Sequence, residues 1–68
     1  MRYAIVIETA AGTFSAYAPD LPECVATGAT VNDVEREMAA AIQFHLGGLR
    51  EDGSVPPPPT SVVAYIDA

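Results

Sequence analysis

Four consecutive prolines, Pro56-Pro57-Pro58-Pro59, set the tightest limit on how this chain folds. Proline holds φ near about −65° and has no amide hydrogen to donate, so the run cannot lie in a helix interior or a central strand. It reads as a stiff polyproline-II spacer. The core must therefore be built from the residues before it and from the short apolar segment after it. With 68 residues there is room for one domain. A chain of this size buries roughly 60% of its unfolded surface, near the lower limit for folding alone. Small domains without staples often gain the missing burial by oligomerising.

Charge narrows the function classes. Three arginines (Arg2, Arg36 and Arg50) stand against nine carboxylates, there is no lysine, and the net charge is −6. Half of the residues are hydrophobic, which separates the chain from disordered acidic tails. An acidic surface argues against direct nucleic-acid binding, which needs Lys and Arg to neutralise phosphates. It argues equally against anionic membranes, and it favours a basic partner. Cys24 is the single cysteine, so neither an intrachain disulfide nor a thiolate zinc cluster can form. The run Met1–Glu8 is too short for a signal peptide, and no window approaches the ~18 apolar residues of a membrane span. A cytoplasmic location is expected.

Arg2–Thr9 is rich in β-branched and aromatic residues and short enough for a strand. Tyr3, Ile5 and Ile7 alternate with Ala4, Val6 and Glu8, so both faces carry apolar groups and a central position is expected. Ala10-Ala11-Gly12 predicts a tight turn with positive φ at Gly12. Thr13–Ala18 alternates as the return strand of a hairpin. Pro19 and Pro22 break pairing, which leaves Cys24–Thr27 as a short third strand ended by Gly28. Thr30 is a helix N-cap with Asp33 three residues on, and Glu35 and Glu37 add charge near the positive helix end. Val31, Val34, Met38, Ala41, Ile42, His45 (at its margin) and Leu49 follow helical spacing, Leu46 widens that stripe, and Phe44 falls off it. Gly47-Gly48 weakens the last turns, and Gly53 is the expected stop. Ser61–Ile66 predicts a final strand.

The order is β-β-β-α-β, an α+β fold. The hairpin makes the first two strands antiparallel neighbours. The helix and spacer form a right-handed crossover that returns the last strand parallel to the first. A four-stranded sheet of order 3-2-1-4 with one helix on one face is expected. The other face is then uncovered, which argues for self-association or partner docking.

The stretch Pro19-Asp20-Leu21-Pro22-Glu23-Cys24, followed by Thr27-Gly28-Ala29-Thr30, resembles the signature of HicB-type antitoxins. The resemblance continues through Glu35-Arg36-Glu37, Ala40-Ala41-Ile42, Asp52-Gly53 and the proline run. It covers essentially the whole chain. It implies a partial RNase H-like fold, self-association as a dimer or tetramer, and a partner. That partner is a HicA-like toxin, a small basic ribonuclease that the antitoxin occludes. Glu23 stands where the family usually has glycine, and Ala29 where an acidic residue is common. Family members usually carry a C-terminal DNA-binding segment. Here a single HicB-like domain over residues 1–68 is expected, without that segment, so operator control would need another chain.

Several side chains are candidates for chemistry or binding. Glu8, Glu35 and Asp67 fall on the first strand, the helix start and the end of the last strand. RNase H-like nucleases place metal-binding carboxylates at comparable points, because two-metal phosphodiester cleavage needs several to neutralise both ions. Surface carboxylates in an acid-rich chain are the stronger reading, and the lack of basic residues for phosphate weakens a nuclease further. His45, the only histidine, has no orienting carboxylate within its own helix and reads as structural. Cys24 has no evident base and reads as packing.

Asp20, Leu21, Pro22 and Glu23 form a proline-stiffened loop that could meet a partner's arginine or lysine at low entropic cost, or could serve turn formation alone. Tyr17, Phe44 and Tyr65 are core or interface candidates. No enzymatic activity, metal or cofactor is expected. The function expected is a protein-binding module of antitoxin type that masks the active surface of a basic HicA-like toxin. A solitary oligomeric HicB-like domain and a minimal metal-dependent nuclease are the alternatives.

Overall fold

A computed structural model describes residues 1–68. Its elements run β1 (Val6–Ala10), β2 (Thr13–Ala18), β3 (Leu21–Gly28) and α1 (Val31–Glu51). The three strands form one antiparallel sheet in the order β1-β2-β3.

The β1–β2 connection is a two-residue turn closed by the Ala10↔Thr13 pair. Ala11 (φ 45°) and Gly12 (φ 86°) both lie in the left-handed region, as a type I′ turn requires. Only the glycine was expected there; alanine occupies that region at a steric cost. Between β2 and β3 the register jumps from Tyr17↔Val25 to Ala18↔Leu21. The irregularity explains how Pro22 sits inside a strand. β3 is an edge strand, and Pro22 lies in its bulged part, where no ladder donor is needed. The third strand therefore begins at Leu21, earlier than the Cys24 start that the prolines suggested.

The helix begins as its sequence signals indicate. Thr30 is the N-cap, and its hydroxyl oxygen accepts a 3.0 Å hydrogen bond from the Asp33 amide. Asp33 also pairs with Arg36 on the exposed side. At the other end Gly53 (φ 75°) reverses the chain. Its amide donates to the Arg50 carbonyl at 3.1 Å, and the Ser54 amide donates to the Leu49 carbonyl at 2.8 Å. This pair of bonds is a Schellman closure, which needs a residue that tolerates positive φ.

One face of α1 packs on β3 and β2. Ala16, Ala18, Leu21, Cys24, Val34 and Met38 are the buried centre, with Tyr3, Ile5, Ile7, Phe14, Ala26 and Ile42 half-buried around it. Small residues on β2 let the helix approach closely. The tightest approach is at Gly28, where a Cβ would stand 2.8 Å from the Val34 amide nitrogen.

The expected four-stranded sheet of order 3-2-1-4 is not what forms. The sheet has three strands, β2 is its centre, and β1 is an edge that starts at Val6 instead of Arg2. Residues 61–66, expected as the fourth strand, form no strand and make no backbone–backbone hydrogen bond. They do run alongside the chain start in the expected parallel sense. Arg2–Ala4 and Ser61–Val63 line one cleft of about 400 Å³, and Ile5–Ile7 and Val63–Tyr65 line the next, of about 360 Å³. The physical reason for the missing ladder lies at the root of this segment. The prolines have no amides to offer, and the first two amides after them, of Thr60 and Ser61, donate to the Asp20 carboxylate at 3.0 Å each. That anchor holds the segment to the β2–β3 turn and withholds the amides that would begin pairing with β1.

Candidate functional site

The helix covers one face of the sheet, and the other face has no layer on it. Alternation along the strands puts Val6, Tyr17 and Val25 in one row across that face, because Val6 pairs with Tyr17 and Tyr17 with Val25. Tyr17 is 42% exposed and Val25 65%. Next to this row run Glu8, Ser15 and Thr27, also directly paired. Ser15, Tyr17, Val25 and Thr27 help to line a shallow depression of about 440 Å³. The face is thus an apolar stripe with a polar flank, the usual anatomy of a protein-binding surface.

The second unusual surface is the segment after the prolines, here called the arm (residues 60–68). Val62, Tyr65 and Ile66 are each about nine-tenths exposed. The arm is tied down only at its root. Asp20 accepts four hydrogen bonds, from the amides and the hydroxyls of Thr60 and Ser61, at 2.8 to 3.1 Å. Just before it, the Tyr3 hydroxyl donates to the Pro57 carbonyl at 2.6 Å. The bonds from Ser61, backbone first and then hydroxyl, hold the Asp20 carboxyl below its ordinary range, with those from Thr60 adding to the effect.

The four loop candidates are thereby split. Asp20 is engaged by the arm, and Leu21 is fully buried in the core. Pro22 and Glu23 are exposed. Of the three aromatic candidates, Tyr17 stands on the uncovered sheet face, Tyr65 on the arm, and Phe44 on the outer side of α1 with 86% of its surface exposed. Val25 was not singled out from the sequence. The signal was available, since a tyrosine pointing out of β2 must have a cross-strand neighbour on β3.

Glu8, Glu35 and Asp67 are not brought together. Glu8 is on β1, Glu35 in the first turns of α1 and Asp67 on the arm, and no group of three His, Cys, Asp or Glu side chains is placed to hold a metal ion. The metal-dependent nuclease alternative thus has no carboxylate cluster to work with. His45 does have a carboxylate near it, but from another element: Glu23 on β3 lies 3.7 Å from Nε2. Cys24 is buried, its sulfur 3.9 Å from the Ala41 carbonyl oxygen. Burial, and secondarily the Glu23 carboxylate, pushes its thiol up, away from the nucleophilic thiolate form. No helix is long and apolar enough to cross a membrane.

The fold is a small α+β one, and its uncovered sheet face and unpaired apolar arm are the surfaces left open to contact. The family model for the HicB-like antitoxins of bacterial toxin–antitoxin systems matches residues 3–68, and the chain belongs to that family. It is also 31% identical, over 67 residues, to an uncharacterized 14.9 kDa protein in the rep-hol intergenic region of Haemophilus phage HP1 (strain HP1c1). That alignment covers 98% of this chain and 50% of the phage protein, so the chain spans about half the length of that relative. No solved structure matches.

Proposed function

We propose that this HicB-like chain neutralises a basic HicA-like mRNA-cleaving toxin by laying its uncovered sheet face over the toxin's active surface. The observation that carries the reading is the Val6–Tyr17–Val25 row on the uncovered sheet face, with Tyr17 and Val25 exposed and Glu8 at its flank. A preordered sheet loses little entropy on docking. The net charge of −6 would speed encounter with a basic protein and disfavour acidic competitors. Glu23, exposed near the start of β3 and 3.7 Å from His45 Nε2, adds a carboxylate that a partner's arginine or lysine could reach. The role is binding, not catalysis. Self-association belongs to the same reading, because the arm leaves large apolar side chains in water.

The test is co-expression with a basic HicA-like ribonuclease toxin. Growth rescue and co-purification are expected for the wild type. Replacing Tyr17 and Val25 together by arginine should abolish both, since two cations would then face a basic surface. Rescue that survives Y17R/V25R, with the variant folded, would move the toxin-binding surface elsewhere. No binding by the wild type would leave a solitary oligomeric domain.

A further inference from the structure

The arm and the outer edge of β1 lie side by side in one molecule, and neither has its backbone groups paired with the other. No backbone–backbone hydrogen bond involves residues 55–68, and β1 pairs only with β2. We infer that in a two-fold dimer each copy's arm leaves its own chain start and, beyond the Asp20 anchor, pairs over Val62–Asp67 antiparallel with the outer edge of the other copy's Arg2–Ile7. This deepens the self-association part of the proposed function and rests on it.

Charge argues for a second copy and for that direction. The chain carries −6, yet residues 53–66 hold no ionised side chain, so like copies meet there with little repulsion. Within one chain the arm lies parallel to the chain start, with Arg2 beside Ser61–Val63. Continued along a ladder, that direction leads Glu8 toward Asp67, two like charges on neighbouring strands. Antiparallel pairing reverses the ends. Arg2 then faces the other copy's Asp67, and Glu8 lies just past the paired stretch, at the end away from Asp67.

The same register puts every apolar side chain in phase. Ile66, Ala64 and Val62 fall beside Tyr3, Ile5 and Ile7, which already pack against the core. Tyr65 and Val63 fall beside Ala4 and Val6, extending the Val6–Tyr17–Val25 row by one strand. A slip of one residue would exchange the two faces, so agreement between charge and apolar pattern is a real constraint. Antiparallel ladders are also slightly more stable per residue than parallel ones. An exposed, apolar, unpaired strand is an aggregation hazard unless something covers it, and reciprocal pairing closes both edges at once.

Sedimentation of the full chain with charge variants tests this. The wild type should be a dimer at micromolar concentration. Arg2→Glu alone and Asp67→Arg alone should each weaken dimerisation, roughly tenfold for a contact turned from attraction to repulsion. The double variant R2E/D67R should recover most of the loss. V62D/I66D should be monomeric with an unchanged circular dichroism spectrum, because both side chains are exposed in the single chain. Single variants that dimerise like the wild type, or no recovery in the double variant, would overturn the pairing. A wild-type dimer that persists in V62D/I66D would place self-association on another surface. A wild-type monomer at ~100 µM would overturn self-association itself. Toxin rescue, read separately through Y17R/V25R, distinguishes these failures from failure of the toxin-binding reading.

Discussion

Asp20 carries more of this structure than its place in a turn suggests. One partly exposed carboxylate accepts four hydrogen bonds and fixes the direction in which the arm leaves the body. Because these bonds favour the ionised form, its folded pKa lies below its unfolded value. Their contribution is therefore complete above the ordinary aspartate range, about 3.9, and is lost as pH falls through the lowered folded value. In an NMR titration the Thr60 and Ser61 amide resonances should move together, with a midpoint below the ordinary aspartate range. Asp20→Asn should remove that titration. Midpoints at the ordinary value would mean that the bonds do not persist in solution. The loop Pro19–Pro22 drew attention from sequence alone, but the partner of Asp20 did not, because a contact forty residues away in the chain leaves no local pattern.

At the scale of elements, the most legible part was the one governed by local rules. Thr30 as N-cap, the apolar stripe of α1 and Gly53 as stop all follow from short-range chemistry; the structure has the cap and the stop, and buries Val34, Met38 and Leu46 of the stripe while Val31 stays exposed. The hairpin turn was legible for the same reason. The limits of β3 were not, since Pro22 looks like a strand breaker until the bulge that accommodates it is seen. The last strand was misread because its composition is that of a strand, while pairing depends on where Asp20 holds its root. Of the uncovered sheet face, Tyr17 was legible and Val25 was not, because their pairing depends on the β2–β3 register.

The β3–α1 junction offers a sharp test of packing between elements. A Cβ at Gly28 would stand 2.8 Å from the Val34 amide nitrogen and 3.1 Å from both Val34 Cα and Asp33 Cβ. Two of these are backbone atoms of the first helical turn, which the Thr30 cap holds in place. Gly28→Ala should therefore cost about 1–3 kcal/mol of stability in denaturant unfolding, the usual range for overpacking. A neutral result would mean that the helix start shifts freely relative to the sheet.

For the whole molecule, the decisive quantity is how little a single copy buries. Seven residues of 68 are buried, while Val62, Tyr65, Ile66 and Phe44 stay largely in water. A core of this size leaves a lone domain marginal. If association supplies the missing burial, unfolding must also dissociate the assembly, and mass action then ties the melting temperature to protein concentration. Melting should rise by a few degrees for each tenfold increase in concentration, as expected when a small domain gains on the order of 1 kcal/mol. The same series on V62D/I66D should be flat and lie below the wild type, because only the associated form can benefit from concentration. A wild-type melting temperature that does not move between ~5 and ~500 µM would mean that the single copy is stable without a second copy.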